Sequence, residues 1–134
     1  MTPPWKQYGP RDYHTYCGPA AIARILGVTR ETAASILLLI RTKTGRARRG
    51  GETTYKEMLL ALKFMGAVPP RRRWKFYNAP AKERPTLRQW LKAHPNVRAL
   101  VTASNHAIYV DGGRIIEDNG RPALKGRMQG VLRL

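Results

Sequence analysis

Apolar residues in the first half of the chain recur at the three-and-four spacing of helix faces. In the last third they gather instead in short β-branched runs between Gly, Asn and Asp. Ala21, Ile22, Ile25 and Leu26 predict a helix over 18–26, with Pro19 in the first turn, where its missing N–H costs nothing, and Gly27 to end it. Thr29 is an N-cap for a second helix over 30–41, whose buried stripe is Ala33, Ile36, Leu37 and Ile40. Thr54 and Glu57 form a capping-box pattern for a third helix over 54–65. Its core face is expected to be Tyr55, Met58, Leu59, Leu62 and Met65, with Gly66 closing it. A second box, Thr86 and Gln89, opens a short helix to about Ala93 that turns Leu87 and Trp90 inward before Pro95 stops it. The runs 97–103, 106–110, 114–118 and 128–132 predict a β-meander. Helices first and antiparallel strands second predict an α+β fold with helices packed on one sheet. No repeat or linker divides the chain, so a single domain over 1–134 is expected. Residues 1–16 read as an irregular arm, interrupted by Pro3, Pro4 and Pro10.

Composition adds a strong electrostatic bias. Among 134 residues, 25 Lys and Arg face 8 Asp and Glu, a net charge of +17. Such a chain attracts polyanions: nucleic acid, acidic protein segments or an anionic surface. The charge gathers in two places. One is a glycine-punctuated loop over 41–51 with Arg46, Arg48 and Arg49. The other is 69–77, where Arg71, Arg72 and Arg73 run into Trp74, Phe76 and Tyr77. Basic and aromatic residues so interleaved suit a phosphate backbone and a stacked base. The favoured expectation for that segment is nonetheless a sheet edge with its aromatics turned inward. The longest apolar run, 33–40, is far too short to span a bilayer, and the opening residues lack a signal-peptide pattern. A hydrophobic content of 43% is enough for a packed core.

The single cysteine, Cys17, excludes an internal disulfide and leaves no cysteine cluster for zinc. No His, Cys and carboxylate group has metal-ligand spacing, and no Gly-rich loop joins a strand to a helix, so neither metal nor other cofactor is expected. A free thiol fits a reducing cytoplasm. Cys17 falls at the start of the first helix, where unpaired N–H groups and the helix dipole favour an anion and lower a thiol's pKa. A thiolate nucleophile needs a base, and the base needs an orienting group. Of three histidines, His14 lies in the arm and His94 at a helix C-terminus, where it reads as structural. His106 begins a strand whose hairpin partner ends in Asp118 and Asn119. A two-residue loop at Gly112-Gly113 sets His106 opposite Asn119 but Glu117 opposite Ile108, a poor pair on a core face. A three-residue loop from Asp111 to Gly113 sets Ile108 opposite Ile116 and His106 opposite Asp118. The second register buries the better pairs and is the one expected.

The segments Tyr16-Cys17-Gly18-Pro19-Ala20-Ala21-Ile22-Ala23 and 105–120 together resemble the papain-like cysteine peptidases. The resemblance is nearest to the branch that processes bacteriocin leader peptides and to small phage-encoded members. It covers about residues 11–120 in element order, with only the Cys and His segments specific. It implies a papain-like α+β fold in which a nucleophile helix and further helices pack on a C-terminal antiparallel sheet. It implies hydrolysis of a peptide or isopeptide bond by Cys17 and His106, in a bacterial or phage-infected cytoplasm or a virion. Both Asp and Asn orient the histidine in such enzymes, so Asp118 is expected on the register, with Asn119 in reserve. Relatives carry a Gln for the oxyanion hole about six residues before the nucleophile. Here Arg11 holds that place, and Gln7 is the nearest glutamine upstream. The competing expectation is an inactive papain-like fold that binds nucleic acid or an acidic host protein through its basic loops.

Overall fold

A computed structural model describes residues 17–43, 54–116 and 124–134, which fall into two compact units, Met1–Ala67 and Val68–Leu134. The chain is mixed helix and antiparallel sheet, in keeping with the α+β class.

The first unit holds three mutually packed helices, α1 (Cys17–Leu26), α2 (Arg30–Lys43) and α3 (Tyr55–Phe64). Helix α1 ends where Gly27 enters the left-handed region at φ 69°, and the Val28 N–H then donates to the Ala23 carbonyl. Only glycine does this without strain, and the resulting bond satisfies a carbonyl that the helix would leave open. The same device closes α3, with Gly66 at φ 71° and the Ala67 N–H on the Leu62 carbonyl. At the helix starts, the Thr29 hydroxyl accepts from the Thr32 N–H, and Thr54 with Glu57 forms the full reciprocal box.

Helix α3 departs from the expected face in one respect. Met65 is 44% exposed, whereas Glu57, Met58, Ala61 and Leu62 are buried. The helix stops at Phe64 and the chain swings away at Gly66, which carries Met65 off the apolar face. Glu57 is buried because Arg41 meets it there. The Arg41 Nε donates to Glu57 Oε2 at 2.7 Å, and both side chains are almost wholly out of solvent. Glu57 Oε1 also accepts from the Thr54 N–H at 2.8 Å and the Thr54 hydroxyl at 3.0 Å. One carboxylate therefore caps α3 and pins it to α2.

The second unit contains β1 (Lys75–Phe76), a 3-10 turn (Ala81–Glu83), α4 (Leu87–Ala93), β2 (Arg98–Ala103), β3 (His106–Asp111), β4 (Arg114–Ile116) and β5 (Met128–Arg133). All strand pairs are antiparallel, in the order β1-β5-β2-β3-β4. The expected meander holds for β2, β3 and β4 only. β5 crosses back to pair with the far side of β2 instead of continuing beside β4. The reason lies in β2, whose Ala99, Leu100, Val101 and Ala103 are fully buried. A strand so buried cannot leave one row of N–H and C=O groups open, and β5 closes that row.

Helix α4 lies on one face of this sheet. Its Leu87, Trp90 and Leu91 pack with Val101, Ile108, Val110 and Val131. Its start is tied down by backbone bonds, from the Leu87 N–H to the Gly126 carbonyl and from the Arg88 N–H to the Leu124 carbonyl. These serve donors that the first turn of any helix leaves open. Leu100, Tyr109 and Leu132, on the other face, are buried as well. The Arg98 Nε donates to the Tyr109 hydroxyl at 2.7 Å across β2 and β3.

The Arg41–Glu57 pair gives a measurable pH signature. Burial alone would raise the Glu57 pKa, but the hydrogen bonds from Arg41 and Thr54 and the Arg41 charge outweigh it and hold the carboxyl below its ordinary 4.5. A carboxyl with a lowered folded pKa stabilises fully above its unfolded value, and that stability is lost as pH falls through the folded value. Glu57→Gln should cost about 3–5 kcal/mol in urea unfolding at pH 7, because it strands the buried Arg41 charge. The gap between wild type and variant should stay constant down to about pH 4.5 and narrow below it. The double variant Arg41→Met/Glu57→Leu should recover most of the loss, since an apolar pair needs no desolvation.

Candidate functional site

Cys17 is the first residue of α1, Gly18 and Pro19 behind it are buried, and the first turn contains no acidic side chain. The first-turn N–H groups of such a helix supply the positive end of its dipole. His106 is the first residue of β3, paired with Ala103 of β2 and partly buried. Strand alternation gives it the same sheet face as Ile108 and Val110, the face that α4 covers. The turn before it is a tight two-residue hairpin in which Ser104 and Asn105 take φ 50° and 60°. Asn105 is tolerant of that conformation, and Gln129 of β5 clamps it. The Asn105 N–H donates to Gln129 Oε1 at 2.7 Å, and the Gln129 amide donates to Asn105 Oδ1 at 2.9 Å. The start of β3 is therefore held from both sides. Cys17 belongs to the first unit and His106 to the second.

The β3–β4 hairpin overturns the expected register. Asp111 pairs with Arg114, Val110 with Ile115 and Tyr109 with Ile116, so the loop is Gly112-Gly113 alone. Both glycines have positive φ, 61° and 80°, as a primed two-residue turn demands. The three-residue loop was expected because it would give Ile108 an apolar partner in β4. Ile108 is instead buried against Val101 and the α4 cluster, and needs no partner there. The turn thus takes the register that sequence reasoning ties to Asn119 and not to Asp118. Asp118, Asn119, Gln7, His14, Arg46, Arg48 and Arg49 themselves lie outside the described residues.

Arg71, Arg72 and Arg73 are described. The Arg72 N–H closes a turn onto the Pro69 carbonyl, with Arg71 and Arg73 exposed and Arg72 half-buried. They lead into β1, which is the sheet edge anticipated for this segment. Its aromatics, however, do not all turn inward. Phe76 is 50% exposed and stacks on Trp74 with ring centroids 6.1 Å apart. Phe76 sits opposite Gly130, where an added Cβ would come within 3.1 Å of the ring. The ring lies over that glycine at the edge and keeps its outer side in solvent.

Strand alternation sends Lys75 and Tyr77 to the other side of β1. There they meet α4 and β5 around an open groove of about 250 Å³. Tyr77, Trp90, His94 and Val131 form its walls, and the exposed Lys75 and Arg133 flank it. His94 caps α4, its Nδ1 2.9 Å from the Trp90 carbonyl and its ring stacked on the Trp90 indole at 4.4 Å. Sequence reasoning took His94 as structural and missed the groove. Arg133 lies near the far end of the sequence and reaches this edge only through the β5 crossover.

Among the described residues, no group of three His, Cys, Asp or Glu is arranged to hold a metal ion, and no helix is long and apolar enough to cross a membrane. Comparison with protein-family models, with curated proteins and with solved structures gives no match.

Burial raises the Tyr77 pKa above its ordinary 10.0, against the opposing effects of a hydrogen bond from the Trp90 indole and the Arg133 charge. In a spectrophotometric titration, subtracting the Tyr77→Phe curve from wild type should isolate one phenol that ionises above pH 10. A phenol with a raised folded pKa destabilises the fold only as pH climbs past its unfolded value, so the two proteins should differ little in pH dependence of stability near neutrality.

Proposed function

We propose that the chain is a cysteine peptidase of papain-like type, cleaving a peptide or isopeptide bond through Cys17 and His106. The observation that carries this reading is that α1 begins at Cys17, in a Cys-Gly-Pro sequence with no acidic side chain in the helix's first turn. A helix start of that kind stabilises a thiolate. A histidine at the anchored start of β3 supports the choice of base. In the reaction, the Cys17 thiolate attacks the carbonyl carbon and the C–N bond breaks as the His106 imidazolium protonates the departing amine. Water, deprotonated by His106, then hydrolyses the thioester and frees the thiol. The Cys17 N–H would donate to the oxyanion, with Gln7 as the second donor. The two-residue Gly112-Gly113 turn supports Asn119, in preference to Asp118, as the orienting group. The cation-flanked groove favours a second reading, a basic binding module in which Cys17 takes no part.

Alkylation of Cys17 by iodoacetamide, followed against pH, tests the first reading without a substrate. The thiol should react as a thiolate well below the reference pKa of about 8.5, and His106→Ala should abolish that low-pH reactivity. An ordinary thiol, unchanged by His106→Ala, overturns the proposal. Once a substrate is found, Cys17→Ser should abolish hydrolysis. His106→Ala should lower kcat/KM by about 10²–10⁴-fold. Asn119→Ala should cost more activity than Asp118→Ala.

A further inference from the structure

The groove beside β1 has a function that the Cys17–His106 chemistry does not use. We infer that it binds single-stranded nucleic acid, taking an unstacked base against Tyr77 and His94 and the flanking phosphates on Lys75 and Arg133. This inference is independent of the peptidase reading, since every residue it invokes lies outside that chemistry.

Three observations carry it. The first is charge. The groove has a cation on each of two strands, Lys75 of β1 and Arg133 of β5, and no carboxylate lines it. Glu83 and Asp111 are the acidic side chains among the unit's described residues, and Asp111 stands opposite Arg98 and Arg114 in the strand register toward the β4 edge, across the sheet from β1. The flanking charge therefore favours an anionic occupant. The second is shape and surface. The walls are the Tyr77, Trp90 and His94 rings, with Trp90 and His94 already stacked on each other. Any base offers a flat face to such rings, so stacking there tolerates all sequences. An acidic peptide supplies charge but no planar group to match them. The third is the approach. The turn at Pro69–Arg72 delivers Arg71 and Arg73, both exposed, to the start of the same edge strand, where Phe76 offers a second half-exposed ring. The result is a basic track with an aromatic slot beside it. A duplex keeps its bases stacked inside, so only a single strand can use the slot.

Fluorescence anisotropy of a labelled oligothymidylate of about fifteen nucleotides, on the full chain, tests the proposal. Binding should weaken as salt rises, because each neutralised phosphate releases counterions. Lys75→Gln/Arg133→Gln should raise Kd about tenfold or more. Arg88→Gln/Arg114→Gln removes the same amount of charge from exposed sites away from the groove and should change Kd by less than about threefold. Tyr77→Leu should weaken binding about fivefold or more while Tyr77→Phe, which keeps the ring, should not. His94→Leu, which removes the other ring the base is proposed to meet, gives a second stacking test if Tyr77→Leu disturbs folding, and a loss of about fivefold is again expected. The duplex of the same length should bind more weakly than the single strand. Equal losses from the two charge-removing pairs would mean diffuse attraction with no site, and would overturn the inference. So would unchanged binding in both Tyr77→Leu and His94→Leu. A polyglutamate peptide that binds more tightly than the oligonucleotide, and loses affinity in Lys75→Gln/Arg133→Gln, would assign the groove to an acidic protein instead.

Discussion

A charge taken out of water must be matched, and that constraint organises the first unit. Arg41 stands in the last turn of α2 and Glu57 in the first turn of α3. Each is therefore at the helix end its charge suits, the cation near a C-terminus and the anion near an N-terminus. Glu57 is also the capping-box residue of α3, so its carboxylate answers the Thr54 N–H and hydroxyl as well as the Arg41 guanidinium. Fully bonded, the pair repays its desolvation; with one partner missing it does not. Because the same carboxylate fixes both where α3 starts and how it meets α2, the cap and the packing cannot be altered separately.

The second unit obeys a different constraint. β2 is buried on both faces, so both rows of its backbone groups must be paired. β3 serves one side through a two-residue turn, and β5 returns from the end of the chain to serve the other. That crossover brings Val131 and Arg133 beside β1 and creates the groove. The groove is thus a by-product of completing the hydrogen bonds of β2.

What was legible in the sequence follows from the range of each interaction. The caps at Thr29, Thr54 and Thr86, and the terminating glycines 27 and 66, act within a few residues, and all were readable. The α+β class followed from hydrophobic period alone. Three features were not readable because each depends on a partner distant in sequence. Glu57 was readable as a capping-box residue, but its burial against Arg41, sixteen positions away, was not. The β3–β4 register was weighed on apolar pairing within the hairpin, yet Ile108 takes its burial from β2 and α4, which left the two glycines to set the turn. β5 was placed next to β4 by sequence order, although the unpaired edge of β2 was the stronger demand. For the peptidase reading, the helix start at Cys17 and the strand start at His106 were readable, since each is a local boundary.

The charge of +17 acquires meaning only through the geometry that surrounds a few of its members. Long-range attraction raises the encounter rate with any polyanion and distinguishes none of them. Discrimination needs contacts that one partner can make and another cannot. Among the described residues, most basic side chains are exposed, where a phosphate and a carboxylate are equally welcome. Lys75 and Arg133 differ in standing beside rings that a planar base can stack upon. On the proposed reading it is these rings, more than the charge itself, that make nucleic acid a better match than an acidic protein.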